Sequence, residues 1–460
     1  MNYLEDTIAA ISTPVGFSGI GIVRMSGTMS LSIIDEIFQA KSGKSVMNHP
    51  NRSMVYGHIV DQEGSIVDEV LVSVMKAPHT YTKEDIVEIN CHGGIVSVRK
   101  ILEILTEKGA RLAEPGEFTK RAFLNGRLDL SQAEAVIDVI NAKTDKSLKM
   151  SVKQLEGNLS KKIREIRHVL VEILAYIEAG IDYPEYDIEE LTQEVMESRI
   201  QEAKKAVDGL IDSSKSGKII REGIKTAIVG RPNVGKSSLL NTLLGEERAI
   251  VTEIEGTTRD SIEEFISIRG IPLKIIDTAG IRETENIIEK IGITKTKEIL
   301  NESDFVLLLL DGQRNLEEDD KALLELAKDK KGLAIINKVE KNQVLFQKDV
   351  EKKTHMEVAE ISILEQKGID KLRERIYETI SDASMDGESY DMVSNIRHIQ
   401  LLKEASKALK EGLEGLKRGI PVEMLSVDMK NAWESLGKIT GETVGEALLD
   451  EIFGKFCIGK

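Results

Sequence analysis

The sequence predicts a multidomain protein of α/β plus α class, in which a mainly parallel α/β unit interrupts a helical one and an α+β unit precedes both. Three observations predict it. A complete G-x-x-x-x-G-K-[ST] loop, Gly230-Arg-Pro-Asn-Val-Gly-Lys-Ser237, follows the apolar run Ile224 to Val229 as a loop follows a strand. Two stripes of apolar residues at helical spacing flank it, Ile163, Ile166, Leu170, Ile173 and Ile177 before and Leu402, Ala405, Leu409, Leu413 and Leu416 after. Ahead of both, strand-like runs (Gly19 to Met25, Val67 to Met75, Ile86 to Ile89) alternate with a helical one, Ile95 to Leu105.

The interrupted layout follows from burial. Two amphipathic helical segments need cover for their stripes, and each is the other's nearest candidate. The expected divisions are 1–119 for the α+β unit, 120–222 for the first helical part, 223–382 for the α/β unit and 383–460 for the second helical part. Ser131-Gln-Ala-Glu134 reads as a capping box opening a helix, and His92-Gly-Gly94 reads equally as a polar strand end or as a tight turn.

Composition narrows the class. At 460 residues the chain exceeds one ordinary core, and a length prior gives about three domains. No apolar run approaches the ~18 residues of a membrane span, and the first residues lack a basic stretch followed by an apolar one, so a cytoplasmic location is expected. Cys91 and Cys457 belong to no Cys-x-x-Cys pair, which argues against structural zinc or a disulfide framework. Sixty-two basic against seventy-eight acidic residues leave a net charge of −16, unfavourable for unaided binding to RNA. Lys143, Lys146, Lys149 and Lys153, spaced to line one helical face, are either a solvated face or a local RNA contact.

The phosphate loop has companions. Lys236 supplies a point charge, Ser237 a hydroxyl for Mg²⁺, and the helix that starts near Ser237 turns its positive end toward the phosphates. Gly256-Thr-Thr-Arg-Asp260 offers a threonine to the metal and γ-phosphate. The strand Leu273 to Ile276 ends in Asp277-Thr-Ala-Gly280, a carboxylate behind the metal and a glycine amide near the γ-phosphate. Phe305 to Leu310 ends at Asp311-Gly312, and Leu333 to Ile336 ends at Asn337-Lys-Val-Glu340. The last group is a base reader with Glu340 where guanine-binding proteins usually carry Asp. One extra methylene must be accommodated there, and Ser362-Ile-Leu departs from the usual Ser-Ala pair; GTP is expected over ATP. Ile281 stands where Ras-like GTPases place the water-orienting glutamine, so another group must hold the water; Glu283, Glu285 and Glu289 are the available carboxylates.

The loop with Asn233, the Gly256-Thr-Thr-Arg-Asp260 segment, the Asp277-Thr-Ala-Gly280 segment and the Cys457-Ile-Gly-Lys460 terminus together resemble the tRNA uridine-modification GTPase family MnmE, also called TrmE, over essentially the whole chain. The resemblance implies a P-loop Ras-like G domain inserted in a helical domain, preceded by a tetrahydrofolate-binding-like α+β domain that forms a homodimer. It implies K⁺-stimulated GTP hydrolysis, with K⁺ on Asn233, Thr252, Ile254 and Thr257, Mg²⁺ on Ser237 and Thr258, and Glu289 acting on water alongside Lys236. The implied GTP contacts are Asn233, Val234, Gly235, Lys236, Ser237 and Ser238; Thr252, Glu253, Ile254, Glu255, Gly256, Thr257 and Thr258; Asp277, Thr278, Ala279 and Gly280; and Asn337, Lys338 and Glu340. Folate, as 5-formyltetrahydrofolate or a relative, would contact Arg24, Glu88, Arg127 (lysine in some members) and Lys460.

Cys457 would be the family's reactive cysteine, against the plain reading of a small residue packing the C-terminal helix. The implied partners are tRNA and an FAD-binding protein, MnmG (GidA), in a heterotetramer that modifies C5 of the wobble uridine. The competing class is a regulatory GTPase switch in ribosome or RNA assembly, which would need neither the folate positions nor the Cys457-Ile-Gly-Lys460 terminus.

Overall fold

A computed structural model describes residues 6–182, 193–246, 264–276, 292–381 and 392–460. The first unit is a seven-stranded sheet built from β1 (Ile8–Ile11), β2 (Ser18–Ser26), β3 (Phe38–Ala40), β4 (Ser53–Val60), β5 (Ile66–Met75), β6 (Ile86–Gly93) and β7 (Arg111–Leu112), in the order β3-β4-β5-β6-β2-β1-β7. Neighbours are antiparallel except β1 and β7. Alternation decides which face is covered. Val70, Val72 and Val74 of β5 are buried with Val87 and Ile89 of β6 under the helices Ser30–Ile37 and Ile95–Glu107, whereas Met54, Tyr56 and Leu71 lie exposed. His92 and Gly93 continue β6 and Gly94 caps the following helix, so of the two readings of His92-Gly-Gly94 the strand end holds and the tight turn does not.

The second sheet has six strands, β8 (Ile224–Gly230), β9 (Glu264–Ile268), β10 (Ile271–Ile275), β11 (Phe305–Asp311), β12 (Gly332–Asn337) and β13 (Glu357–Glu360), in the order β13-β12-β11-β8-β10-β9. All pairs are parallel except β9 with β10. Phe305 to Leu310 are all buried, as a central strand covered on both faces requires. The chain leaves β8 for β10 on one side and returns to β11 on the other, which opens a crevice at the tip of β8 where such sheets bind ligands.

Helices Asn158–Asp182, Gln193–Glu222, Ile396–Lys417 and Val422–Thr440 bury both expected stripes in one core. A fully buried Leu or Ile contributes roughly 1.5–3 kcal/mol, so the nine such positions of the two stripes, with Ala405, hold the two distant segments together. Trp433 packs at the edge of this core with the Arg167 guanidinium 4.2 Å from its ring centre. The helix expected at Ser131 begins as Leu130–Asn141, and its cap is Asp129, whose carboxylate accepts from Gln132 N while Gln132 answers to the Asp129 backbone. Asp at the cap outcompetes Ser131, which turns inward to Ser160.

Lys143 precedes the Thr144 cap of helix Asp145–Leu155, so the four lysines do not share one helical face: Lys143 lies over the Phe265 ring and Lys146 packs beside Gly270. Helix Glu117–Leu124 crosses the division expected at 119/120. Among the described residues no helix is long and apolar enough to cross a membrane.

Candidate nucleotide-binding site

Three strand tips meet at the crevice. Register places Leu309 of β11 opposite Gly230 of β8 and Asp311 opposite Asn337 of β12, so the loops after β8, β11 and β12 emerge side by side. The loop after β8 turns through Asn233 (φ +62°) and Gly235 (φ +105°) before helix Lys236–Glu246. At Gly235 a Cβ would stand 2.5 Å from Asn337 Nδ2, too close for any side chain. Leu239, Leu240 and Leu243 bury the inner face of the helix and fix its N-terminus at the crevice.

Side chains from β12 and β11 clamp this loop. The buried Asn337 donates from Nδ2 to the Val234 carbonyl at 2.9 Å and accepts from Ile363 N at 3.2 Å. Lys338, itself at φ +67°, donates from Nζ to the Asn233 carbonyl at 2.8 Å and to Asp311 Oδ2 at 2.7 Å. Burial works against ionisation of Asp311, but the Lys338 ammonium outweighs it and holds the carboxyl below its ordinary range. Arg231 reaches Glu317 at 2.7 Å and ties the outer side of the loop to helix Glu318–Leu326.

Lys236 Nζ donates to the carbonyls of Gly230 at 2.7 Å and Arg231 at 2.9 Å, and burial lowers its pKa. A desolvated ammonium held by two neutral carbonyls is poised to exchange them for phosphate oxygens. Glu340 sits beyond Lys338, where the Ser362 hydroxyl and its own backbone N–H hold its carboxyl below the ordinary range; the buried Oε2 lacks a partner of good geometry. Ser237 is half-buried and Ser238 exposed on the first turn of the helix.

Of the expected contacts, the structure thus brings together Asn233, Val234, Gly235, Lys236, Asn337 and Lys338. Thr252 to Thr258, Asp277 to Gly280 and Glu289 lie outside the described residues. Sequence reading missed Asp311 and Arg231 as members of the site. Their only signals were position, at the tip of the central strand and inside the loop.

A second cluster lies on the first sheet. Arg24 and Glu88 are direct partners across β2 and β6, with Arg24 Nε donating to Glu88 Oε1 at 2.8 Å. Arg24 Nη1 also donates to the Gly459 carbonyl at 3.1 Å, and Ser12 Oγ to the same oxygen at 3.2 Å, so the C-terminal residues lie against this pair. The Arg24 guanidinium stands 5.6 Å from the Phe118 ring centre and Arg127 4.6 Å from that of Tyr81, and both rings join one small apolar cluster. Cys457 is exposed and its carbonyl accepts from Gly116 N. His92 is held instead by Asp68, 2.6 Å away, whose carboxylate raises the imidazole pKa.

A phosphate loop at the switch point of a parallel sheet, clamped by an Asn-Lys pair from the next strand tip but one, defines a P-loop nucleotide-binding domain of the G-protein type. The family model described as the MnmE helical domain matches residues 130–457, and that described as the GTP-binding protein TrmE N-terminus matches residues 7–127. The tRNA modification GTPase MnmE of Clostridioides difficile is 52% identical over 459 residues, covering 100% of both chains, and that of Alkaliphilus metalliredigens 50% over 460 residues, again 100% of both. Among solved structures, the G domain of the T. maritima FeoB iron transporter is 23% identical and covers 34% of this chain and 99% of its own, with a TM-score of 0.27.

The chain belongs to the MnmE family of tRNA modification GTPases and is a GTP hydrolase acting in tRNA modification.

Proposed function

We propose that this chain is a K⁺-stimulated GTPase that works as a homodimer with the FAD-binding protein MnmG to install an aminomethyl or carboxymethylaminomethyl group at C5 of the wobble uridine of certain tRNAs, in the cytoplasm. The six-stranded unit is read as a G domain inserted in the helical domain. The first unit is read as tetrahydrofolate-binding-like, its end shifted from 119 to the turn after helix Glu117–Leu124.

The observation that carries the reading is the coexistence of two chemically different sites on one chain. One is the clamped phosphate loop. The other is the Arg24–Glu88 pair joined by the C-terminal Gly459, an arrangement with no use in a bare nucleotide switch. An ion pair with the Phe118 ring beside its arginine, and the Tyr81 ring under Arg127 in the same apolar cluster, suits a flat heterocycle such as a folate pterin, with Arg127 and Lys460 as further contacts. The exposed apolar residues Phe17, Ile20, Met54, Tyr56 and Leu71 of the same unit suit dimerisation.

In the G domain, Lys338 occupies the Asn233 carbonyl, and Asn233 itself is exposed within the phosphate loop, as a K⁺ ligand shared with Thr252, Ile254 and Thr257 would be. A bound monovalent cation would offset the negative charge that develops between the β- and γ-phosphates. Mg²⁺ would be held by Ser237 and Thr258, and Glu289 would position the water.

The test is GTP hydrolysis by the full chain in matched K⁺ and Na⁺ buffers, with ATP as the nucleotide control. K⁺ stimulation confined to GTP, lost in Glu289→Ala while nucleotide still binds, supports the reading. Equal rates in both salts remove the cation mechanism, and wobble uridine modified as usual in cells lacking the protein would remove the tRNA assignment.

A further inference from the structure

Strands β9 and β10 form a hairpin whose two-residue turn, Arg269-Gly270, takes left-handed angles at both positions (φ +48° and +82°), with Ile268 paired to Ile271. In sequence this hairpin joins the two nucleotide-sensing segments: β9 starts six residues after Thr258, and β10 ends two residues before Asp277. Arg269 is exposed, but the Gly270 side of the tip packs against the helical unit. The Thr144 hydroxyl donates to the Gly270 carbonyl at 2.8 Å, and a Cβ on Gly270 would stand 3.1 Å from Lys146 Cβ. Lys143 Nζ lies 5.5 Å from the Phe265 ring centre further along β9. On its other flank Arg269 reaches Glu374 at 3.2 Å and the Tyr377 ring on helix Ile369–Ile380, whose end leads back toward the helical core.

Thr144 is also the cap of helix Asp145–Leu155, accepting from Ser147 N, so the residue that grips the hairpin also fixes the first turn of that helix. The helix is bonded in turn to its predecessor, with Gln154 donating to the Ser131 carbonyl and Gln132 to the Leu155 carbonyl. Beside the same junction, where helix Gln193–Glu222 runs into β8, an open pocket of about 760 Å³ is lined by Lys218 and Glu222 together with Lys274 and Lys331. The two units are therefore docked at the hairpin tip and open beside it, a geometry that permits rocking about the connections.

We propose that the Arg269-Gly270 tip is the contact through which nucleotide state acts on the helical unit, with Thr144 and Lys146 as its receiving residues. Displacement of either nucleotide-sensing segment shifts the hairpin between them, and the tip then strains or relaxes the cap of helix Asp145–Leu155. The required bistable element is the docked or undocked tip.

Thr144→Asp separates the two duties of the residue. Aspartate caps a helix as well as threonine does, yet it has no proton to donate and sets a negative charge against the Gly270 carbonyl. The experiment is hydrogen exchange on the full chain saturated with GDP or with a non-hydrolysable GTP analogue, saturation being verified in the same samples by fluorescence titration. In the wild type the amides of residues 145–149 should exchange at rates differing by at least about fivefold between the two states, the low end of ordinary coupling. In Thr144→Asp that difference should collapse while nucleotide affinity stays within about twofold. Gly270→Ala, crowding Lys146, should also reduce it. Equal exchange in both states of the saturated wild type, or a full difference retained in Thr144→Asp, overturns the proposal.

Discussion

Arg397 closes a two-pronged ion pair on Glu134, 263 positions earlier in the chain: Nε donates to Oε1 at 3.0 Å and Nη2 to Oε2 at 2.7 Å, while the fully buried His398 places Nε2 2.7 Å from Oε2. This joins the helix before the G domain to the first turn of a helix after it. Burial alone would raise the Glu134 carboxyl, but His398 and Arg397 outweigh it and bring it to about 2 from an ordinary 4.5. A folded-state value below the unfolded one means stability that is fully present above about pH 4.5 and lost as pH falls toward 2, on the order of 3 kcal/mol in all.

Glu134→Gln should therefore unfold more easily at pH 7, by about 3–5 kcal/mol for a broken buried pair. It should also lose less than the wild type between pH 5 and 3. Trp433, the chain's one tryptophan, lies in this helical core and reports the transition in urea without interference from the other units. An acid slope in the variant as steep as in the wild type would sink the assignment.

Lys338 joins two parts of the nucleotide site, the Asn233 carbonyl and the Asp311 carboxylate. Hydrogen bonds to charged groups contribute about 1.5–3 kcal/mol each, so Lys338→Ala should weaken GDP binding by at least about tenfold. The Trp433 unfolding midpoint should not move, because the change lies in another unit. Fluorescent-GDP titration reads the first quantity, and undiminished affinity would mean that the loop holds its shape without the clamp.

On the first sheet, Arg24→Ala removes the partner of Glu88, one of the two donors to the Gly459 carbonyl and a cation beside Phe118 in one step. Titration calorimetry with 5-formyltetrahydrofolate should show binding to the wild type and a loss of at least about tenfold in the variant, with GTP hydrolysis retained. Unchanged folate affinity in Arg24→Ala would move the ligand elsewhere or remove it.

These residues also show what a sequence can disclose. The phosphate loop and the strand tips at Asn337 and Asp311 were legible because local spacing encodes them: a glycine-rich turn between an apolar run and a helix has few other uses. The stripes from Ile163 and from Leu402 were legible because 3.6-residue periodicity survives without knowledge of the partner. Glu134 and Arg397 were not, since an acid and a base in ordinary helical sequence carry no mark of their pairing until both helices pack. The cap at Asp129 was misplaced to Ser131 because both fit the pattern, and only the inward turn of Ser131 toward Ser160 separates them. The lysine series failed in the same way: Thr144 starts a new helix between Lys143 and Lys146, and tertiary contact with Phe265 and Gly270 decides where those two side chains go.

Arg121 offers the sharpest stability test in the first unit. Its side chain is 2% exposed, and it donates to the Asp6 carbonyl at 3.0 Å, to Glu117 Oε1 at 3.0 Å and to Glu84 Oε1 at 3.2 Å, besides an ion pair with the Asp6 carboxylate. It thereby pins the entry to β1, the approach to β6 and helix Glu117–Leu124 to one point. Arg111 shares Glu117 at 2.6 Å and Asp6 at 2.7 Å, so the acids keep one cation if Arg121 is lost. Burial opposes ionisation of Glu117, and Arg111 and Arg121 overcome it to hold the carboxyl below its ordinary range. Arg121→Met keeps the volume but strands part of that negative charge, for a loss of about 3–5 kcal/mol.

For a unit of this size that corresponds to a fall of roughly 10 °C or more in its calorimetric transition. Arg121→Lys should fall between, since the three N–H donors of an ammonium cannot serve the four acceptors that the planar guanidinium fork reaches. A methionine variant melting within about 2 °C of the wild type would mean that Arg111 alone neutralises the cluster and that the buried fork contributes nothing net.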